Sequence, residues 1–226
     1  MLKEKARQVH ERLCSFYGPT EWRTPLPPVD ELVSTILSQN TNDRNRDKAF
    51  DSLTQRFPTW EAVMQADTAD VIESIRIAGL AHQKGPRIQA VLRQIVEERG
   101  SLDLTFLAKM PVEEARAWLM HFNGVGPKTA AIVLQFSMDI PAFPVDTHVY
   151  RVTTRLGLTP PMSVEQAHVH LSGLFEPRNY KDDHLNIIRL GREVCTARNP
   201  RHEACPLRDI CDFYQDITNH AGSKQT

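Results

Sequence analysis

The stretch FNGVGPKTAA, residues 122–131, lies between two segments with helical apolar periodicity. Its two glycines flank one small apolar residue, so the backbone there can take a tight turn with positive φ. Pro127 suits the first position of the following helix, where a missing N–H costs nothing. The amides of such a turn, together with a helix N-terminus, can bind an anion such as a phosphate. The stretch therefore predicts two helices joined by a turn, which serves either as an anion site or as a plain connection.

Helical periodicity continues on both sides of this stretch. Val9, Leu13 and Phe16 share one face of a first helix, and Asp30 is a candidate N-cap for a second. Further helical patterns cover residues near 43–56, 59–66, 68–77, 84–99 and 112–121, and more follow from residue 163 onward. The alternation typical of β-strands never persists for more than a few residues. The sequence therefore predicts an all-α protein.

The composition narrows the class of protein. The 226 residues allow one large domain or two modest ones, and a hydrophobic content of 41% with 24% charged residues is ordinary for a globular protein. The net charge is −1, so an argument for nucleic-acid binding must rest on local basic patches. No apolar run approaches the roughly 18 residues of a membrane span. We expect a cytoplasmic protein without a membrane partner, in a compartment where disulfides rarely persist.

Three of the four cysteines crowd into the C-terminal part of the chain. Cys195, Cys205 and Cys211 fall within seventeen positions, and His202 lies among them. Thiolate and imidazole are ligands that transition metals prefer. The loop between Cys195 and His202 has no apolar periodicity that could build a core, so something else must hold it. The segment therefore predicts a metal centre.

Lys128 and Asp146 are candidates for chemistry. Lys128 falls near a helix N-terminus, where positive charge is disfavoured, and a neutral lysine amine is a nucleophile able to form a Schiff base. The alternative is an ordinary solvated surface lysine. Eighteen residues on, Asp146 is a candidate N-cap for the helix that begins at Thr147, and its carboxylate could also accept a proton. Capping is expected whatever the function, so only the pairing of the two residues indicates catalysis.

Three separate stretches of the sequence resemble the endonuclease III family in their order. They are residues 124–130, residues 144–152 and the cysteine loop. That family is the bifunctional glycosylase/lyase branch of the helix-hairpin-helix DNA glycosylases, and the similarity runs from about residue 28 to residue 214. The resemblance implies an all-α fold of two domains. Residues 26–137 would form a six-helix domain with the helix-hairpin-helix, and residues 1–25 and 138–226 a discontinuous cluster domain.

The resemblance also implies an activity. Lys128 matches the lysine that attacks C1′ of a damaged nucleotide after the base has been flipped out, and Asp146 matches the aspartate that assists it. The expected enzyme is a base-excision repair glycosylase and AP lyase acting on oxidised pyrimidines, a monomer that binds damaged or abasic double-stranded DNA. Two alternatives remain open. One is the same fold acting on uracil, mismatched thymine, oxidised guanine or another modified base, and the other is a catalytically silent damage-search protein.

The remaining candidates for DNA binding follow from the same resemblance. Residues 37–41 match the place where the family inserts a polar side chain into the gap left by the flipped base, with Asn40 at that position and Gln39 as a neighbouring DNA-binding candidate. Leu80 matches a wedge in the opposite strand, although simple burial is its alternative. Lys84 and Arg87 are basic residues that follow the wedge loop, and a solvated helix face is their alternative. The other candidates are Gly124, Val125, Gly126, Thr129, His148, Arg198 and Arg201.

His202 departs from the family pattern. The spacing of six, two and five residues is the family's, but the second ligand position has histidine in place of cysteine. The resemblance implies a [4Fe-4S] cluster held by Cys195, His202, Cys205 and Cys211. The alternatives are zinc in the same ligand set, a three-iron cluster, or an empty loop with His202 on the surface. A neutral imidazole in place of a thiolate predicts a reduction potential above that of a His202→Cys variant.

Overall fold

The computed structural model describes residues 1–18, 20 and 24–222, and the side chains of residues 1–18, 20 and 24–219. Over this part of the chain the backbone is helical without any β-strand, which confirms the predicted all-α class. The chain divides into two units. The central unit is Thr24–Ile140, and the terminal unit combines Met1–Arg23 with Pro141–Thr226. None of the helices in the described residues is both long and apolar enough to cross a membrane.

The helices differ in length from one to five turns. Short 3₁₀ turns lie at Arg76–Ala78, Thr105–Lys109, Pro177–Asn179, His202–Ala204 and Arg208–Ile210, and a π-helical turn lies at Val133–Ser137. In chain order the α-helices are α1 (Leu2–Tyr17), α2 (Pro28–Ser38), α3 (Asp43–Arg56), α4 (Trp60–Gln65), α5 (Thr68–Ser74), α6 (Ala81–Arg99), α7 (Val112–Met120), α8 (Pro127–Ile132), α9 (Thr147–Arg155), α10 (Val164–Ser172), α11 (Tyr180–Glu193) and α12 (Asp212–Gly222).

Side-chain caps explain where several helices begin. Asn42 accepts the Asn45 amide at 2.9 Å before α3, and Ser163 forms a capping box with Gln166 before α10. The prediction that Asp30 caps α2 is wrong, because the helix already begins at Pro28. The Asp30 carboxylate instead accepts the indole N–H of Trp60 at 2.7 Å, which ties α2 to α4.

Helix α2 lies at the core of the central unit. Its apolar residues Leu32, Val33, Ile36 and Leu37 are all buried, as their spacing predicts. The core of the terminal unit includes Val9 and Leu13 of α1, and also Phe143, Val149 and Leu190. The third residue of the predicted α1 stripe, Phe16, is 51% exposed and lies outside this core.

Candidate functional site

The turn before α8 forms as the sequence predicts, and one of its two glycines is left-handed. Gly124 has φ 83°, whereas Gly126 has φ −94° and forms the extended N-cap of α8. Pro127 is the first helical residue. The Val125 amide donates to the carbonyl oxygen of Phe122 at 3.0 Å and closes the turn.

The first turn of α8 presents Lys128 and buries Thr129. The Lys128 side chain is half-buried and has no acceptor among the described residues, so its amine is uncommitted. Thr129 and Val125 are each 4% exposed, so only their backbones could reach a phosphate. The Val125 amide already donates within the turn, and the contact of Val125 with DNA stays a prediction.

Gln39 and Asn40 have different environments. The Gln39 side-chain amide donates to the Gly124 carbonyl oxygen at 3.0 Å and accepts from the Arg87 guanidinium at 3.1 Å. The neighbouring Asn40 is exposed and has a left-handed backbone with φ 53°. Gln39 therefore anchors this loop to the hairpin, and its contact with DNA stays a prediction. Asn40 is the more exposed of the two residues.

Lys84 is buried, and the prediction that it contacts a DNA phosphate is wrong. Its side chain is 1% exposed, and its ammonium donates to the carbonyl oxygens of Leu37 and Ala78, each at 2.8 Å. Burial lowers the pKa of Lys84 to about 8. The bond to Leu37 holds the end of α2 just before Asn40, and the bond to Ala78 holds the turn just before Leu80.

The turn that carries Leu80 ends in an apolar tip. Leu80 is 47% exposed and has a left-handed backbone with φ 51°, so the alternative that it is simply buried is excluded. Ile77, three residues earlier, is 45% exposed. These two are the only large hydrophobic side chains classed as exposed in residues 24–140. Sequence reasoning missed Ile77, because an isoleucine in an apolar helical pattern indicates burial.

Asp146 caps α9, as predicted. Its Oδ1 accepts the amide of Val149 at 2.7 Å. Two buried histidines hold the backbone just before Asp146. His168 Nδ1 donates to the Phe143 carbonyl oxygen at 3.1 Å, and His184 Nδ1 donates to the Pro144 carbonyl oxygen at 2.9 Å. Sequence reasoning missed both histidines, because nothing in their spacing connects them to Asp146.

His148 lies in the first turn of α9 and is oriented by Arg151. The Arg151 guanidinium donates to His148 Nδ1 at 3.1 Å and to the Gly191 carbonyl oxygen at 2.8 Å. Because arginine has no acceptor, the imidazole accepts at Nδ1, and its single proton lies on Nε2. His148 can therefore donate one hydrogen bond outward from Nε2. Arg151 was not among the predicted site residues.

The four predicted metal ligands line one cavity of about 290 Å³, open space at its mouth included. The wall also includes Arg155, Arg201, Arg208 and Phe213. Among the described residues no three His, Cys, Asp or Glu side chains converge closely enough for a single ion. Burial raises the pKa of the Cys205 and Cys211 thiols, so binding has to displace their protons.

The arginine side chains on and beside this loop differ in their hydrogen-bond partners. Arg198 is exposed and has no hydrogen-bond or ion-pair partner among the described residues. Arg201 is also exposed, but its guanidinium donates to the Glu193 carbonyl oxygen. Arg155 donates to Cys195 Sγ at 3.2 Å from the end of α9. Arg198 is therefore the freer of the two predicted phosphate contacts.

Comparison with known protein families identifies the region that contains the hairpin and also the cysteine loop. Residues 33–177 match the model of the HhH-GPD superfamily base excision DNA repair proteins. Residues 195–211, from Cys195 to Cys211, match the iron-sulfur binding domain of endonuclease III. The cysteine loop is thus an iron-sulfur binding region.

Two relatives found by sequence and one solved structure indicate the same family. The chain is 32% identical to endonuclease III of Thermotoga maritima over 215 residues, covering 95% of this chain and 94% of the relative. It is 35% identical to endonuclease III of Synechocystis over 217 residues, with 94% of each covered. A solved non-covalent endonuclease III–DNA complex superimposes with a TM-score of 0.80 at 25% identity, covering 96% of this chain and 98% of that one. The chain therefore belongs to the HhH-GPD superfamily of base excision DNA repair proteins, in its endonuclease III family.

Proposed function

We propose that this protein binds double-stranded DNA and acts as a DNA glycosylase with associated AP lyase activity. The observation that carries the proposal is the state of Lys128. Its amine is partly exposed at the start of α8 and is uncommitted to any acceptor in the described chain. The other lysine with unusual surroundings, Lys84, is closed off from a sugar by burial and by two carbonyl partners.

The proposed chemistry begins with attack of the neutral Lys128 amine on C1′ of the flipped nucleotide. The bond from C1′ to the base breaks, and the base leaves with the electron pair and takes up a proton. The attached amine passes one proton to Asp146. The C1′–O4′ bond then breaks and O4′ takes up a proton, so that the sugar ring opens and a protonated imine forms between Lys128 and C1′. Loss of a proton from C2′ then expels the 3′ phosphate by β-elimination. Asp146 suits the proton transfer because only Oδ1 is used as the helix cap.

DNA contacts in this proposal come from side chains that the structure leaves exposed. Asn40 and Leu80 would enter the base stack, and His148 would donate from Nε2. The backbones of Gly124, Gly126 and Thr129 would hold a phosphate at the hairpin. Arg198 and Arg201 would contact phosphates from the iron-sulfur loop, and Arg201 would first have to release its carbonyl partner.

We further propose that Cys195, His202, Cys205 and Cys211 hold a [4Fe-4S] cluster. The fit rests on the donor set, which lines a single cavity, and on the short 3₁₀ turn that begins at His202 and brings its ring to the wall. When bound, the cluster supplies a rigid frame and an electron-exchange centre. Iron and sulfide content, with electron paramagnetic resonance of the oxidised protein, separates this cluster from a three-iron cluster and from zinc.

The lyase part is tested by borohydride trapping on a duplex with an abasic site. Wild type is expected to give a covalent adduct, and Lys128→Ala is expected to give none. Lys109→Ala removes an exposed lysine of the same unit and should trap like wild type. No adduct with wild type would exclude the lyase, and an adduct with Lys128→Ala would exclude this nucleophile.

Oxidised pyrimidines are the proposed substrates, on the likeness to the endonuclease III relatives. A panel of duplexes with one lesion each, scored by strand cleavage per enzyme, tests this. Preference for uracil, mismatched thymine, oxidised guanine or another modified base would replace the substrate while keeping the glycosylase. Gel filtration with and without a lesion duplex tests the expected monomer.

A further inference from the structure

Arg155 is the last residue of α9, and its guanidinium is committed to the iron-sulfur loop. One terminal nitrogen donates to Cys195 Sγ at 3.2 Å and to the Thr196 carbonyl oxygen at 2.8 Å. The other donates to the Ala197 carbonyl oxygen at 2.9 Å. The guanidinium carbon lies 4.8 Å from the ring centre of Phe213, within cation–π distance. Four contacts therefore fix this one side chain.

A hydrogen bond to a ligand sulfur affects the electronics of the metal group. Reduction adds negative charge to the cluster and its thiolates, so a cationic donor on a thiolate stabilises the reduced state more than the oxidised state. The same guanidinium ties down the carbonyls of Thr196 and Ala197, in a loop without an apolar core of its own. A single residue thus contacts both the ligand and the chain that presents it.

We propose that Arg155 is a positioning residue for the iron-sulfur cluster, which it serves by donating to the Cys195 thiolate. This contact raises the reduction potential of the bound cluster and holds residues 196–197 in the conformation that presents Cys195. The proposal rests on the ligand set given under the proposed function, because it needs Cys195 to be a ligand.

Two other arginines near the loop lack this contact. Arg208 lines the same cavity, but its guanidinium pairs with Glu203 and lies 5.8 Å from the ring centre of Tyr214. Arg151 donates to the backbone carbonyl oxygen of Cys195 at 3.1 Å and not to its sulfur. Arg208→Met is therefore a matched control, which removes a nearby positive charge without removing a bond to sulfur.

The test uses the full chain bound to DNA and measures the midpoint potential by voltammetry, with iron per chain measured in parallel. Arg155→Met is expected to lower the potential relative to wild type, and Arg208→Met to lower it less. Arg155→Lys keeps the charge but offers one donor nitrogen in place of the two spaced terminal nitrogens of the guanidinium, so an intermediate potential is expected. We also expect Arg155→Met to lose iron faster to a chelator.

Equal potentials in wild type and Arg155→Met at full iron content would overturn the proposal. If Arg155→Met holds no iron, the same comparison is made with Arg155→Lys and Arg155→Gln, and unchanged potentials in both would overturn it too. Wild type without iron would instead overturn the cluster assignment itself, so the two failures are distinguishable.

Discussion

Lys84 Nζ lies 2.8 Å from the carbonyl oxygen of Leu37, and the bond that joins them is buried. The same ammonium donates to Ala78 at 2.8 Å. Asn40 follows Leu37 by three residues, Leu80 follows Ala78 by two, and both have left-handed backbones. One buried charge therefore fixes the bases of the two turns that carry the proposed inserted side chains.

Replacing Lys84 by methionine is expected to destabilise the protein by about 2–6 kcal/mol. The substitution leaves two buried carbonyl oxygens without a donor, and each such loss costs about 1–3 kcal/mol. Urea unfolding followed by circular dichroism measures the change. Lys109→Met, at an exposed position, should stay within about 0.5 kcal/mol of wild type. A Lys84→Met protein as stable as wild type would show that the two bonds contribute nothing.

The contribution of Lys84 to the free energy of unfolding is expected to rise with pH. Its pKa in the folded state is about 8, below the ordinary 10.5, so between these values the unfolded chain binds a proton that the folded chain does not. The free energy of unfolding therefore increases through this window, by up to about 1.4 kcal/mol per pH unit. The neutral amine keeps two N–H donors for its two carbonyls. Between pH 7.5 and 9.5, the free energy of unfolding of wild type should rise increasingly above that of Lys84→Met. A difference that stays constant with pH would contradict the lowered pKa of Lys84.

The residues that the sequence identified correctly are those whose roles follow from local chemistry. Pro127 begins α8 and Asp146 caps α9, because proline geometry and a carboxylate one residue before a helix act within a few residues of themselves. Lys84 was misplaced because its partners lie 47 and 6 residues away, on two different turns. His168 and His184 were missed for the same reason, since their targets at Phe143 and Pro144 are 25 and 40 residues distant.

Removing the apolar tip at Ile77 and Leu80 is expected to weaken binding to abasic DNA without unfolding the protein. Each side chain is about half exposed, so burial in a base stack would contribute about 1 kcal/mol, or roughly fivefold in affinity. Ile77→Ala and Leu80→Ala should each show this loss in fluorescence anisotropy. Val169→Ala, at a 58% exposed position of the terminal unit, serves as the control. Unchanged affinity for Ile77→Ala would restrict the wedge to Leu80.

Replacing His202 by cysteine is expected to lower the reduction potential of the cluster. An anionic thiolate in place of a neutral imidazole adds one negative charge to the ligand set and disfavours the reduced state. Voltammetry of the two DNA-bound forms makes the comparison. His202→Ala is the companion variant, which should lose iron or yield a three-iron cluster. Equal or reversed potentials in wild type and His202→Cys would show that His202 is not a ligand.

Asp146→Asn separates the two roles of this residue. Asparagine caps a helix about as well as aspartate, so the loss of charge near the helix N-terminus should cost only about 0.3–1 kcal/mol of stability. Without a carboxylate to accept the proton from Lys128, base release should slow by about 10²–10⁴-fold. Asp146→Ala should lose the activity as well and about 1 kcal/mol more stability, because the bond to the Val149 amide disappears. Single-turnover base release and urea unfolding measure the two effects, and an Asp146→Asn protein with the wild-type rate would leave the residue as a cap alone.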